Sequence, residues 1–185
     1  MKRRLFISLQ IPETVKAAIA KELEKVRYDF TDDVRFIDPS EWHITVTFLD
    51  NQEDTAMPAI LNAMAATARE FKAPQISFTD ISYGPKKDAP RMIWLNGSLD
   101  SCRALQSLKD FLENTLVDNQ VVFKREHRQL RIHITLARLM SAENLPALNA
   151  PFNETIRPEM LDLMESVPGK EKVTYEFLQK TPFKI

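Results

Sequence analysis

The sequence predicts an α+β fold of two similar lobes, with antiparallel sheets flanked by helices and a central cleft between them. Three observations carry that reading. Helix-period and strand-period segments are mixed, without the strict alternation of long crossovers that marks a parallel sheet. An order of strand, helix, short strand and His-x-Thr strand occurs twice, from "RRLFISLQ" to "HITVTFL" and from "RMIWLNG" to "HITLARL". The period of that duplication exceeds an ordinary solenoid repeat, so two pseudo-symmetric lobes fit better than an array. With no linker or low-complexity segment between the copies, residues 1–185 read as a single domain.

The elements follow from local pattern. "RLFISLQI" is a β-forming run, and Pro12 then opens a helix to about Tyr28, with Val15, Ala18, Ile19, Leu23 and Val26 on one face. "VRFID" is a short strand, "PSEW" a turn and "WHITVTFL" a strand. A second helix, from about Pro58 to Phe71, has Ile60, Leu61, Met64, Ala68 and Phe71 as its stripe. "QISFTDISY" and "RMIWLNG" are strands joined by the polar loop "GPKKDAP". A third helix, Leu99 to Val117, turns Cys102, Leu105, Leu108, Leu112 and Leu116 inwards. "VVFKRE" and "LRIHITLARL" are expected as strands, residues 142–158 as an irregular Pro-rich stretch, and "MLDLMES" and "VTYEFLQ" as a hairpin around "VPGKEK".

Composition excludes several classes. At 44% hydrophobic and 28% charged residues, the chain is neither disordered nor fibrous. A net charge of −1 supplies no global attraction to nucleic acid, so any action on RNA must come from a local site. The one cysteine, Cys102, cannot close an internal disulfide and lies on an apolar helix stripe, which fits a buried inert thiol in a reducing compartment. The opening "MKRRLFISLQIPE" is basic, but its apolar stretch is short and broken by Gln10 and Pro12. No run is long enough to span a membrane, and a cytoplasmic monomer is expected.

The duplicated tetrapeptide carries the chemistry. Side chains alternate along a strand, so His43 and Thr45 share one face while Ile44 and Val46 take the other. His133 and Thr135 stand in the same relation to Ile132, Ile134 and Leu136. If the lobes meet about a two-fold axis, two imidazoles and two hydroxyls converge on one cleft. A histidine titrates near pH 6.5, so one can activate water while the other protonates a leaving oxygen. Threonine hydroxyls can donate to non-bridging phosphate oxygens. A strained cyclic phosphate ester could be opened by such a set without a metal.

One His-x-Thr alone is usually an ordinary strand with a satisfied histidine; the matched pair, with matched upstream topology, is not. A zinc site built on His43, His133 and His127 lacks a Cys pair, a His-x-His and a His-Glu-x-x-His, and His127 lies in the polar segment "FKREHRQ". No metal or other cofactor is expected. Lys124, Arg125, Arg128 and Arg131 precede the second motif, and Arg131 shares the face of His133. They read equally as a phosphate-holding patch and as charges on a solvated edge strand.

These motifs resemble the two-histidine (2H) phosphoesterases. More narrowly, "HITVTFL" with "HITLAR" resembles the RNA 2′,3′-cyclic phosphodiesterases, also called 2′-5′ RNA ligases. "RLFISLQIP", "PRMIWL" and "LMESVPGKEKVTYEFL" resemble the opening strand, middle strand and closing hairpin of that family, and Phe48 and Arg138, five residues after each histidine, match its narrower branch. Asp50 stands where the family usually has Gly, and Ile132 where it usually has Pro. The resemblance implies a cleft that takes RNA 3′ ends or nucleotides bearing a 2′,3′-cyclic phosphate and opens them to a 2′-phosphomonoester without metal. It also implies His43 as proton donor, His133 as proton acceptor, Thr45 and Thr135 on phosphate oxygens, Phe48 under the terminal base, and Arg138 on the phosphate or base. The motifs themselves are near-equivalent and do not order acid and base. Strict alternation puts Arg138 opposite His133 and lets Phe48 continue the core row of Ile44 and Val46. Two further readings keep the cleft: a phosphodiesterase for small nucleoside cyclic phosphates or 2′-5′ linked oligonucleotides, and an RNA-end binding module without turnover.

Overall fold

A computed structural model describes residues 2–30, 34–86, 88–169 and 173–184. β1 (Lys2–Gln10) is followed by α1 (Glu13–Arg27), β2 (Val34–Phe36), β3 (His43–Glu53), α2 (Met57–Glu70), β4 (Ile76–Gly84) and β5 (Met92–Gly97). Then come α3 (Leu99–Asp118), β6 (His133–Leu139), β7 (Asn149–Pro151), β8 (Thr155–Ile156), β9 (Met160–Pro168) and β10 (Val173–Pro182). All strand pairs are antiparallel. One sheet has the order β10-β9-β1-β3 and the other β2-β6-β5-β4-β7, with β8 added to β4. The expected α+β class and its two sheets are therefore present, and the hairpin β9–β10 forms, although residues 170–172 of its turn lie outside the described residues.

The helices form where their apolar stripes demand cover. α1 starts after Pro12, whose carbonyl takes the amides of Val15 and Lys16, and it carries Glu13 in its first turn and Lys25 and Arg27 in its last. Val15, Ile19 and Leu23 are buried. The hydroxyl of Ser98 caps α3 by accepting from the Ser101 amide at 3.2 Å. The α3 stripe of Cys102, Leu105, Leu108, Leu112 and Leu116 is buried, as its spacing predicts. These faces join Leu5, Ile7 and Leu9 of β1, and Ile134 and Leu136 of β6, in one core.

Three expectations change. The first repeat lends its short strand to the second, because β2 follows α1 in the first copy yet pairs with β6 of the second. In the second copy, the expected strand "VVFKRE" does not form. Its backbone is met by a side chain instead, the Gln52 amide on β3 donating to the Val122 carbonyl at 2.8 Å. Arg125 is drawn inward to Glu113 at 3.2 Å. Glu113 also takes the Thr47 hydroxyl at 2.7 Å and the Lys109 ammonium, so the buried carboxylate is fully paired and ties β3 to α3. The Pro-rich stretch is not wholly irregular: β7 and β8 lie within it, too short for their period to be read in sequence.

Candidate active site

β3 and β6, the two strands that carry His-x-Thr, lie against each other where the sheets meet. Ile44 and Ile134 are fully buried, whereas His43, Thr45, His133 and Thr135 are partly exposed on the opposite side. Nδ1 of His43 lies 2.7 Å from the Glu41 carbonyl, and Nδ1 of His133 lies 2.8 Å from the Arg131 carbonyl. A carbonyl only accepts, so each Nδ1 carries a proton and donates it. Each imidazole is thereby anchored two residues back along its own chain, with Nε2 left for chemistry.

Each ring is also held by aromatic neighbours. His43 packs at 5.0 Å from both Phe6 and Tyr175, which touch each other at 5.2 Å. His133 stacks on Trp94 at 3.9 Å. A Cβ at Gly84 would collide with the Trp94 ring, so glycine on β4 is what lets the indole lie there. Burial lowers the pKa of both histidines. For His43 the Glu41 carbonyl opposes that shift, and the charge of His133 then adds to it. For His133 the Arg131 carbonyl opposes, while the charges of Arg131 and Arg128 add. His133 being felt at His43 places both rings in one electrostatic site.

A β-bulge on each strand settles which face the downstream residues take. On β3, Ile7 pairs with Thr47 and Ser8 with Thr45, so Val46 is an extra residue. Val46 and Thr47 are consequently both buried, and Phe48 returns to the His43 side, 53% exposed and 6.1 Å from the Phe6 ring. On β6, Ile93 pairs with Ala137 and Trp94 with Thr135, which makes Leu136 the extra residue. Leu136 and Ala137 are both buried, and Arg138 emerges exposed on the His133 side. Phe48 is thus not a core residue. A second extra residue, Leu49, precedes Asp50, whose φ of 55° is the left-handed conformation that favours glycine and that aspartate tolerates.

Residues 9–94, from the end of β1 through the first motif into β5, match the family model for LigT-like phosphoesterases. An RNA 2′,3′-cyclic phosphodiesterase of Aeropyrum pernix is 27% identical over 115 residues, 62% of each chain, so that match spans less than two thirds of the relative. One of the same name from Thermus thermophilus is 26% identical over 181 residues, 97% of this chain and 85% of the relative. The chain is thus similar to LigT-like phosphoesterases, the family-model match itself covering residues 9–94, just under half of its length. Solved structures share the fold: TT0787 of Thermus thermophilus superposes with a TM-score of 0.80 at 24% identity over 97% of both chains. Escherichia coli LigT complexed with 3′-AMP superposes with a TM-score of 0.77 at 20% identity over the whole of both chains.

The basic segment before β6 is largely engaged. Arg128 pairs with Glu126 at 2.9 Å, Arg125 with Glu113, and Arg131 lies over Trp94 at 5.5 Å while donating to the Pro85 carbonyl at 3.1 Å. No edge strand forms there, and among the described residues Lys124 is the member of the segment with no hydrogen bond or ion pair. His127 is exposed and lines a shallow concavity of about 380 Å³ with Asp110 and Arg125, away from the other two histidines. Among the described residues, no three His, Cys, Asp or Glu side chains gather as a metal site, and no helix is long and apolar enough to cross a membrane. Sequence reasoning missed Phe6, Trp94 and Tyr175 as ring supports, although register within the duplicated strands could have paired Trp94 with Thr135.

It also missed Asp162. This residue lies on β9 in register with Ser8 of β1 on one side and Lys180 of β10 on the other. Ser8 pairs in turn with Thr45, so one cross-strand row runs from Lys180 to the site. Asp162 is 1% exposed, and neither carboxyl oxygen has a hydrogen-bond partner among the described residues. Burial pushes its pKa up to about 6, with the Lys180 charge opposing.

Proposed function

We propose that this protein opens 2′,3′-cyclic phosphates at RNA 3′ ends to 2′-phosphomonoesters, without metal. The observation that carries the reading is the pair of imidazoles, each with Nδ1–H committed to the carbonyl two residues back and with a threonine two residues on along the same strand face. Relatives named as RNA 2′,3′-cyclic phosphodiesterases support the same reaction. In the proposed step, Nε2 of neutral His133 takes a proton from water as its oxygen bonds to phosphorus. The bond from phosphorus to O3′ breaks, and protonated His43 gives its Nε2 proton to O3′. The 2′ ester remains, and solvent exchange resets the two rings. The division of labour follows the family resemblance: burial lowers both rings, each has one acidic neighbour that opposes the shift (Glu41 at His43, Glu126 at His133), and the two motifs stay near-equivalent. Thr45 and Thr135 hold the non-bridging oxygens, Phe48 offers its exposed ring to the terminal base, and Arg138 and Arg131 supply cations.

An RNA ending in a cyclic phosphate, incubated with the protein in excess EDTA, should yield a terminal 2′-phosphate at an undiminished rate, because imidazoles rather than a Lewis acid move the protons. Activity lost on chelation and restored by zinc or manganese would overturn the mechanism. Thr45→Ala and Thr135→Ala should each cost about 1.5–3 kcal/mol in kcat/KM, the worth of a hydrogen bond to a charged group. Neither should shift the melting temperature appreciably. Variants that melt early yet turn over normally would make the hydroxyls structural.

A further inference from the structure

Arg35 of β2 and Arg138 of β6 are directly opposite each other in the ladder, so their side chains share the face that carries His133 and Thr135. The flanking residues Val34 and Phe36 pack towards the core, which leaves Arg35 pointing the other way and exposed. Neither guanidinium makes an ion pair or hydrogen bond among the described residues, in contrast to Arg3, Arg103, Arg125 and Arg128, which all have carboxylate partners. Like charges placed directly across a ladder destabilise it. An arrangement that costs stability and leaves ten N–H donors on one face, five from each guanidinium, suits a bound anion. Arg138 stands three residues beyond Thr135, on the order of 10 Å along the strand, and Arg35 is one strand further out. The pair therefore sits at the rim of the site, beyond the phosphate that Thr45 and Thr135 would hold.

We propose that Arg35 and Arg138 clamp a second phosphate, the phosphodiester one nucleotide upstream of the reacting end. This rests on the cyclic-phosphate reading above and names its substrate class: an oligonucleotide terminus rather than a free nucleoside cyclic phosphate. Arg35 thereby becomes a substrate-binding residue that no motif announces, supplied to the second sheet by the crossing of β2. Two forked guanidiniums can take one phosphate bidentately from both sides. Each contact displaces a counterion, which makes its contribution sensitive to salt.

The test compares kcat/KM for a dinucleotide ending in a 2′,3′-cyclic phosphate with that for the matching nucleoside cyclic phosphate. Wild type should prefer the dinucleotide, most strongly at low salt. In Arg35→Gln that preference should fall about tenfold, as expected for one lost charge-assisted contact. Arg35→Lys should keep part of it, and the melting temperature of Arg35→Gln should hold or rise because the like-charge repulsion is gone. A wild type that treats both substrates alike overturns the clamp. So does an Arg35→Gln variant that loses activity equally on both, or one that melts early with its preference intact. If wild type opens neither substrate, the assigned reaction fails. The clamp is then read from binding of a 3′-phosphorylated dinucleotide against the mononucleotide, and the same ratio must fall in Arg35→Gln for it to stand.

Discussion

His43→Ala and His133→Ala should each lower kcat/KM by about 10²–10⁴, the usual worth of one positioned proton-transfer group. The double variant should be little slower than either single one, because groups that act as a unit are not additive when removed. The pH profile supplies a second readout. The reaction needs one imidazole protonated and the other neutral, so kcat/KM against pH should be bell-shaped, with limbs belonging to the coupled pair. Burial lowers both histidines from 6.5 in the free protein. The base therefore becomes competent at a lower pH than a free imidazole would, and the acid loses its proton at a lower pH too. The optimum of kcat/KM should accordingly fall on the acid side of 6.5. An optimum well above neutrality, or alanine variants within a few-fold of wild type, would remove these two residues from the reaction.

The faces of His43, Thr45, His133 and Thr135 were legible because simple alternation governs the first three residues of each motif. Alternation fails after Thr45 and Thr135, where Val46 and Leu136 bulge. A bulge at an aliphatic residue has no composition of its own. For that reason Phe48 read as core as readily as platform, and Arg138 read as facing away. Asp50 was visible as a departure at a glycine position, but only the backbone gives its cause, a left-handed φ after the second bulge. Local pattern likewise found β2 as a strand and could not say that it pairs with β6 across the duplication. The opposite error occurred at "VVFKRE", where β propensity was real but the Gln52 amide took the Val122 carbonyl that a ladder would have used and Glu113 drew the Arg125 side chain inward. Asp162 shows a limit of another kind. A lone carboxylate in "MLDLMES" looks solvent-facing, and only the register against Ser8 and Lys180 places it inside a row that ends at Thr45.

Asp162→Asn should make the protein more stable at pH 7. The carboxyl titrates near 3.8 when unfolded and at about 6 when folded, a gap worth about 3 kcal/mol. Its folded pKa is raised, so above pH 6 the native state holds an ionised, unpartnered carboxylate and bears the full cost. As pH falls from 6 towards 3.8, the native state takes up the proton before the unfolded chain does, and stability from this group rises. Below 3.8 both states are protonated and the cost is gone. The lowered histidines act in the opposite sense, since below 6.5 the unfolded chain binds protons that buried His43 and His133 resist. Wild type and Asp162→Asn share the histidine contribution, so it cancels in their difference. Denaturant titrations of the two proteins should therefore show an advantage for the variant of up to about 3 kcal/mol at pH 7, shrinking towards zero at pH 4. An Asn variant that is less stable at pH 7 would mean that the carboxylate is paired after all, with Lys180 across the ladder as the group positioned to do it.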